Sequence, residues 1–336
     1  MLTPAITSQA SITAIGSFVP ERRLTNDDLS AMVDTNNEWI VRRTGIRERR
    51  IASPGEFASH LAIGAVRDLL DRYPLDSGSI DGIIVATTTP DSPFPSVASR
   101  VQEAFGMNGC LAFDMNSACA GFVSALQTAN GLVLTGAYRR ILVIGVETLS
   151  RITDYTDRST CILFGDGAGA VLVEHAAQGA FLASDADTIG AGGPLVYASG
   201  LSDEWNGQPL AGEGKIVQNG REVYKWAVTQ VPLAVRRMLE AAGADMEELD
   251  WFVPHSANMR MVEAMCERMD LPLSRALTSM EWFGNTSAAS IPLALDLAVR
   301  EGKLQAGNLV ALYGFGSGLS QSGLLLRWTI QSKTGR

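Results

Sequence analysis

Cys110-Leu-Ala-Phe-Asp-Met115-Asn-Ser-Ala-Cys119-Ala-Gly-Phe122 begins as an apolar run of strand type and ends where a helix-type run, Phe122 to Leu134, takes over. A thiol at such a turn stands at a helix N-terminus, where unpaired backbone N–H groups and the helix dipole favour thiolate over thiol. Small residues on both sides of Cys119 leave room for a substrate carbonyl to reach the sulfur. Free cysteine is also a common buried small hydrophobe, and the turn alone does not choose between the two.

A cysteine nucleophile usually works with a histidine, and the chain has three. His60 lies in an ordinary helical stretch, and His175 closes an apolar strand as a surface turn residue. His255 differs. It follows the strand Asp250-Trp-Phe-Val-Pro254 and opens Ser256-Ala-Asn-Met-Arg260, which runs on as a helix. Strand-to-helix corners are where open α/β sheets place ligands.

An internal repeat links the two sites. With Val85 set against Val253, Thr87 falls opposite His255, and 32 residues further on Cys119 falls opposite Ser287. Both halves then reach an apolar strand ending in glycine, Ile141–Gly145 and Leu309–Gly314, after 26 and 27 residues. This pattern indicates two copies of one βαβ-rich unit, here taken as residues 1–178 and 179–336. About a pseudo-twofold axis the strand ends would converge and bring Cys119, His255 and Asn285 together.

Ser-Ala-Cys119-Ala-Gly-Phe, Pro-His255-Ser-Ala-Asn258-Met-Arg, Gly-Asn285-Thr-Ser-Ala-Ala-Ser and Gly314-Phe-Gly-Ser-Gly together resemble the β-ketoacyl-acyl-carrier-protein synthase III family. So do Asp34-Thr-Asn-Asn-Glu-Trp39-Ile-Val-Arg-Arg43 and Phe164-Gly-Asp-Gly-Ala-Gly-Ala, and the resemblance runs from about Ile12 to Trp328. It implies a thiolase-like α/β fold, two duplicated halves with five-stranded mixed sheets in an αβαβα layering. It also implies a homodimer in which Phe94 reaches the partner's acyl pocket.

The implied chemistry is a decarboxylative condensation of an acyl-CoA primer with malonyl-acyl-carrier-protein through an acylated Cys119. His255 and Asn285 would donate to the malonyl thioester oxygen, and the backbone N–H groups of Cys119 and Ser317 would hold the acyl carbonyl. For CoA the resemblance implies Trp39 and Arg158 on either side of the adenine, Arg43 at the nucleotide end and Asn258 on the pantetheine arm. Arg260, Lys225 and Arg268 are the expected basic patch for the acidic carrier protein. No resident cofactor or metal is implied, since CoA and phosphopantetheine arrive with the substrates. A ketosynthase or acyltransferase of specialised metabolism shares much of this constellation. Ser256 and Ala276–Gly284 further resemble a subgroup that uses branched primers, while Ser256 could equally lie outside the acyl pocket.

The bulk composition agrees. The chain has 336 residues, 46% hydrophobic and 19% charged, enough for two intimately packed halves. A net charge of −9 argues against bulk nucleic-acid binding, and no apolar run reaches the length of a membrane span. The start, Met1-Leu-Thr-Pro-Ala, has no signal-peptide pattern, and four cysteines without metal-ligand spacing suggest reduced thiols in a cytoplasm. Cys110, Cys161 and Cys266 read as buried structural residues. The Gly165-Asp-Gly-Ala-Gly169 stretch lacks the context of a dinucleotide loop and reads as tight packing beside the site. The glycine-rich segment 190–214 reads as a lid or cap.

Overall fold

The computed structural model describes residues 5–331. Met1–Pro4, on which part of the N-terminal reading rests, and the outer limits of the two expected halves lie outside them. The main strands are β1 (Ala10–Phe18), β2 (Gly82–Ala86), β3 (Leu111–Met115), β4 (Arg140–Thr148) and β5 (Asp166–His175), then β6 (Phe181–Thr188), β7 (Trp251–Pro254), β8 (Leu309–Gly316) and β9 (Ser320–Arg327). The main helices are α1 (Asn37–Thr44), α2 (Ala58–Arg72), α3 (Val97–Ala104), α4 (Gly121–Leu134), α5 (Gly220–Ala242), α6 (Met259–Met269) and α7 (Ser290–Arg300).

The first sheet has the order β1-β5-β4-β2-β3, with β4, β2 and β3 mutually parallel and β5 antiparallel to both its neighbours. The second has the order β7-β8-β9-β6, with β7 and β8 parallel. The second sheet therefore has four strands among the described residues, not the expected five. Where β3 stands in the first sheet, a single parallel bridge joins Phe252 to Ala276. Pro272 and the 3₁₀ turn Leu273–Arg275 precede that bridge and helix Met280–Phe283 follows it. Too little extended chain remains there for a ladder.

Strand alternation builds the layers. Ile84, Ala86, Ile141 and Val143 face inward onto Phe122, Leu126 and Val133 of α4, while Ile291, Leu295 and Ala298 of α7 join Val253, Val310 and Leu312 in the same core. Ile83, Val85, Leu142 and Ile144 point the other way, onto α2 and α3. Phe252, Ala311 and Tyr313 pack on α5 and α6. The order is helix, sheet, helix, sheet, helix. Because each sheet is covered on both faces, its central strands read as unbroken apolar runs. A buried leucine or isoleucine cut to alanine in such a core costs about 2–5 kcal/mol.

The glycine motif Gly165–Gly169 is packing, as expected. A side chain on Gly165 would lie 2.1 Å from the Phe283 carbonyl oxygen, and one on Gly169 2.6 Å from Pro292. That close approach brings Asn285 against Phe164 in a parallel bridge, with Asn285 N–H donating to Leu163 O and Gly165 N–H to Asn285 O.

Candidate active site

Two strand-to-helix corners meet between the sheets. In the first, Asn116 Oδ1 accepts from the Ala118 N–H at 3.1 Å, Ala118 takes φ 46°, and a 3₁₀ turn through Cys119 leads into α4. In the second, Asn285 Oδ1 accepts from the Ser287 N–H at 2.9 Å, Ser287 takes φ 46°, and the turn Ser287–Ala289 leads into α7. Non-glycine residues are uncommon in this left-handed region. The match makes Asn285 the counterpart of Asn116, Ser287 of Ala118, and Ala288 of Cys119.

The repeat is therefore one residue out of step with the spacing read from sequence. His255 corresponds to Ala86, and both halves cover 26 residues from the corner to the glycine. A Cβ on Gly145 would lie 2.3 Å from Ala288 O, and one on Gly314 would lie 2.9 Å from Cys119 O. Each glycine admits the other half's corner. The one-residue error arose because Val85 was set against Val253, whereas strand register pairs Val85 with Ile144 and Pro254 with Tyr313.

A cavity of about 300 Å³ is lined by Cys119, His255, Asn285, Ser287, Gly316 and Ser317 together with apolar Leu149, Ile152, Phe164, Val196 and Ile216. Strand β8 closes in on the Cys119 thiol, since a Cβ on Gly316 would lie 2.9 Å from Cys119 Sγ. Ser317 Oγ donates to Val196 O at 2.6 Å, which pins this turn to the 190–214 segment. That segment contributes Val196, Tyr197 and Ala198 to the cavity wall, paired with Ile216–Gln218. It is a wall of the site, in line with the expected cap.

Burial pushes the Cys119 thiol up to about 12, with a hydrogen bond from Ser287 opposing and Glu147 adding to the shift. The sequence reading expected the helix N-terminus to favour thiolate. In this enclosed cavity desolvation is the larger effect, so the resting group is the thiol. Burial likewise holds His255 down at about 3, a neutral imidazole. Its Nδ1 lies 2.8 Å from Ser290 Oγ, and Ser290 Oγ is also 2.8 Å from Ser287 O. The serine has one proton for two neighbours. If it goes to His255 Nδ1, the imidazole Nε2 carries hydrogen and can donate; if it goes to Ser287 O, Nε2 is an acceptor. The aromatic edge of Phe315, 5.3 Å between ring centroids, holds the imidazole plane.

A second cavity of about 650 Å³ shares Gln218, Ala257, Met261 and Asn285 with the first and opens outward past Arg43, Ser159, Arg221, Lys225, Asn258 and Arg260. Asn258 caps α6 by accepting from the Arg260 N–H, which leaves its amide NH₂ for a ligand. Arg158 and Arg43 both lie over the Trp39 ring, their guanidinium carbons 5.2 and 5.7 Å from its centroid. A stacked base needs about 7 Å between its two neighbours. Arg158, held by Asp34 O at 2.9 Å, must therefore swing aside before a base can occupy that place.

The remaining expected residues scatter. Phe94 is 84% exposed and stands off this cavity. Arg268 lies in the last turn of α6, whereas Arg260 lies in the first and Lys225 pairs with Glu222 at 2.7 Å. Ser256 is fully buried behind the cavity, its Oγ accepting from the Ser279 N–H, so it touches no acyl chain. Cys161 and Cys266 are buried, while Cys110 is only half-buried on the edge strand's approach. The sequence reading missed Glu147, Thr88 and Ser290. An acid closing the apolar run Ile141–Val146, at the same strand ends as the site, was the available signal for Glu147.

Sequence models described as 3-oxoacyl-[acyl-carrier-protein] synthase III match residues 113–190, and as its C-terminal part residues 239–328. The β-ketoacyl-[acyl-carrier-protein] synthase III 2 of Bacillus subtilis strain 168 is 55% identical over 322 residues, covering 96% of this chain and 99% of that one. The chain belongs to the 3-oxoacyl-acyl-carrier-protein synthase III family. A solved structure of the family from Thermus thermophilus superposes with a TM-score of 0.91 at 42% identity, covering 95% of this chain and 99% of that one. The priming β-ketosynthase of the R1128 polyketide pathway superposes at 0.90 with 34% identity, covering 98% of each. The thiolase-like duplicated fold is shared with these relatives. Among the described residues no helix is long and apolar enough to cross a membrane.

Proposed function

We propose that the chain condenses a short acyl-CoA primer with malonyl-acyl-carrier-protein to a 3-oxoacyl-carrier-protein, releasing CoA and CO₂, with Cys119 carrying the acyl group in between. Membership of the family makes it an acyl-transferring condensing enzyme that initiates fatty acid synthesis. The observation that carries the residue assignment is the meeting of Cys119, His255 and Asn285 in one enclosed cavity that continues outward between basic residues.

In the first stage the Cys119 sulfur attacks the acyl-CoA carbonyl, and the backbone N–H groups of Cys119 and Ser317 receive the developing oxyanion. In the second, malonyl-carrier-protein loses CO₂ and its carbanion attacks the acyl-enzyme. Asn285 Nδ2, free to donate because Oδ1 is occupied by Ser287 N–H, and His255 Nε2–H stabilise the enolate oxygen. The donor role of His255 requires the Ser290 hydroxyl to donate to an unprotonated Nδ1, so that the ring hydrogen stays on Nε2. The apolar lining and small volume favour short primers, branched ones included.

Trp39, Arg158, Arg43 and Asn258 take the CoA, and Arg260 and Lys225 at the outer mouth face the carrier protein. Arg268, at the other end of α6, extends that basic face. Two features support a homodimer with Phe94 inserted into the partner's site: Phe94 itself is exposed, and β3 is an edge strand with Leu111 36% exposed. A monomeric mass by light scattering at micromolar concentration would contradict it. Free thiols at all four cysteines accord with a cytoplasmic setting.

Initial-rate kinetics test the reaction. Parallel double-reciprocal lines for acyl-CoA and malonyl-carrier-protein, with a 3-oxoacyl-carrier-protein product, are expected; intersecting lines would overturn the acyl-enzyme. The likeness to the R1128 enzyme favours a second reading, priming of specialised metabolism, which product analysis across acyl-CoA chain lengths distinguishes.

A further inference from the structure

Arg49 is fully buried in the short strand Glu48–Arg50, which packs on helix Met280–Phe283 just before Asn285. Burial lowers its guanidinium only to about 10, so it stays charged at neutral pH. Among the described residues no carboxylate forms an ion pair with it, and the adjacent Glu48 pairs instead with Arg23 and Arg50 at 3.6 and 3.5 Å. Neutral oxygens hold the guanidinium. Its Nε donates to Ile162 O at 3.1 Å, one terminal nitrogen donates to the same carbonyl, and the other donates to Asn26 Oδ1 at 2.6 Å. A buried charge without a counter-ion is costly, and an apolar side chain would fill the space more favourably.

Both ends of the guanidinium fork lead to parts of the site. Ile162 precedes Leu163, whose carbonyl accepts the Asn285 N–H at 2.8 Å, and Gly165 N–H donates back to Asn285 O at 3.0 Å. This contact is an isolated bridge between Phe164 and Asn285, without a strand ladder to support it. The Arg49 stem packs beside it: a Cβ on Gly284 would lie 2.8 Å from Arg49 Cγ, and one on Gly165 would lie 3.2 Å from Arg49 Cβ. At the other end the Asn26 amide donates to Asn37 Oδ1 at 2.9 Å and to Ile46 O at 3.0 Å, on either side of α1. One buried cation thus joins the helix that carries Trp39 and Arg43 to the backbone that holds Asn285.

We propose that Arg49 is a positioning residue for the condensation stage, setting Asn285 by clamping the backbone at Ile162 and Leu163. The inference rests on the reading of Asn285 as a donor to the enolate oxygen. Asn285 Oδ1 is held by the Ser287 N–H, so the aim of Nδ2 follows from where the Asn285 backbone is set. Two of the bonds that set it run to Leu163 and Gly165, in the segment that Arg49 clamps. A planar fork can reach Ile162 O and Asn26 Oδ1 together, whereas a lysine ammonium is a single point of charge. Small misplacements of a group that acts on a transition state cost rate steeply. The bonds of Arg49 do not touch the Cys119 corner, so acylation stays independent of it.

The test is a cycle of full-length wild type, Arg49→Lys, Asn285→Ala and the double variant. Intact mass follows acylation at saturating acetyl-CoA, then single-turnover discharge by malonyl-carrier-protein. Arg49→Lys should acylate within threefold of wild type and discharge about tenfold more slowly. In the Asn285→Ala background the same substitution should slow discharge no further than about twofold, because the group it positions is gone. A general structural lesion would slow both stages and both backgrounds. If Arg49→Lys fails to fold, Asn26→Ala, which removes the acceptor of one terminal nitrogen, runs through the same cycle with about fivefold slower discharge expected. Discharge within twofold of wild type, an equal slowing in both backgrounds, or acylation slowed as much as discharge overturns the proposal. Asn285→Ala discharging at the wild-type rate would instead overturn the donor reading of Asn285.

Discussion

The two corners share a backbone and divide the chemistry. Asn116-Ser-Ala-Cys119 and Asn285-Thr-Ser-Ala288 have the same asparagine-closed turn, the same left-handed residue and a helix beginning at the same point. Four of the counterpart pairs that differ carry most of the chemical contrast. Cys119 faces Ala288, His255 faces Ala86, Ser290 faces Gly121, and Glu147 faces Gly316. The first corner has the thiol and the acid; the second has the imidazole with its serine partner, and the glycine that makes room for the sulfur. On the proposed reaction the duplicated scaffold serves as a two-stage site, in which one half would hold the acyl group and the other would stabilise the incoming carbanion. The lesson is that equivalence of backbone does not extend to function, which resides in the side chains placed on it.

Removing the first half's unique group should have the largest effect. Cys119→Ala should lower overall turnover by about 10⁴-fold or more and leave no acyl adduct by mass spectrometry. Residual acylation at another cysteine would break the division outright.

The second corner can be probed through its tautomer. Ser290→Ala removes the partner of His255 Nδ1 and should slow condensation about tenfold, near 1.4 kcal/mol, while acylation is unchanged. Single-turnover mixing separates the two stages, and an acylation defect of the same size would show that Ser290 serves the corner as a whole.

The scaffold's symmetry is open to a stability test. Gly145→Ala and Gly314→Ala each press a methyl group into the opposite corner's backbone and should each destabilise by about 1–3 kcal/mol. Similar shifts in urea midpoint are expected from the two. A loss confined to one would mean that only that corner is tightly packed.

A smaller effect is expected at the mouth. Arg260→Glu should raise KM for malonyl-carrier-protein about threefold at low salt and leave KM for acyl-CoA unchanged, as rim charges chiefly steer association. Equal rises would assign Arg260 to CoA, whose outer cavity it also lines.

Much of this was legible in the residues. The strand around Ile83–Ala86 and its copy Trp251–Pro254 stood out because strands covered on both faces are unbroken apolar runs. Cys119, His255 and Asn285 stood out because small polar residues interrupt those runs at the turn. The one-residue slip was not legible, since apolar strands look alike when shifted and only hydrogen-bond register separates Pro254 from Val253 as the counterpart of Val85. The protonation states were hidden too: the helix N-terminus is visible in sequence, but the enclosure that outweighs it depends on Gly316, Phe164 and the 196–198 wall closing in from afar. Nor could spacing reveal that Arg268 and Arg260 lie in opposite end turns of α6 relative to the mouth, or that Ser256 turns inward to Ser279.

The central claim is that acylation belongs to the first corner and condensation to the second, and Asn285→Ala tests it most directly. Intact mass spectrometry after mixing this variant with acetyl-CoA should show one acetyl group per chain, formed within about threefold of the wild-type rate. On addition of malonyl-acyl-carrier-protein the adduct should persist, discharging some 10²–10³-fold more slowly than in the wild type. An Asn285→Ala enzyme that folds but never acquires the acetyl group, or that discharges it at the wild-type rate, would contradict the account.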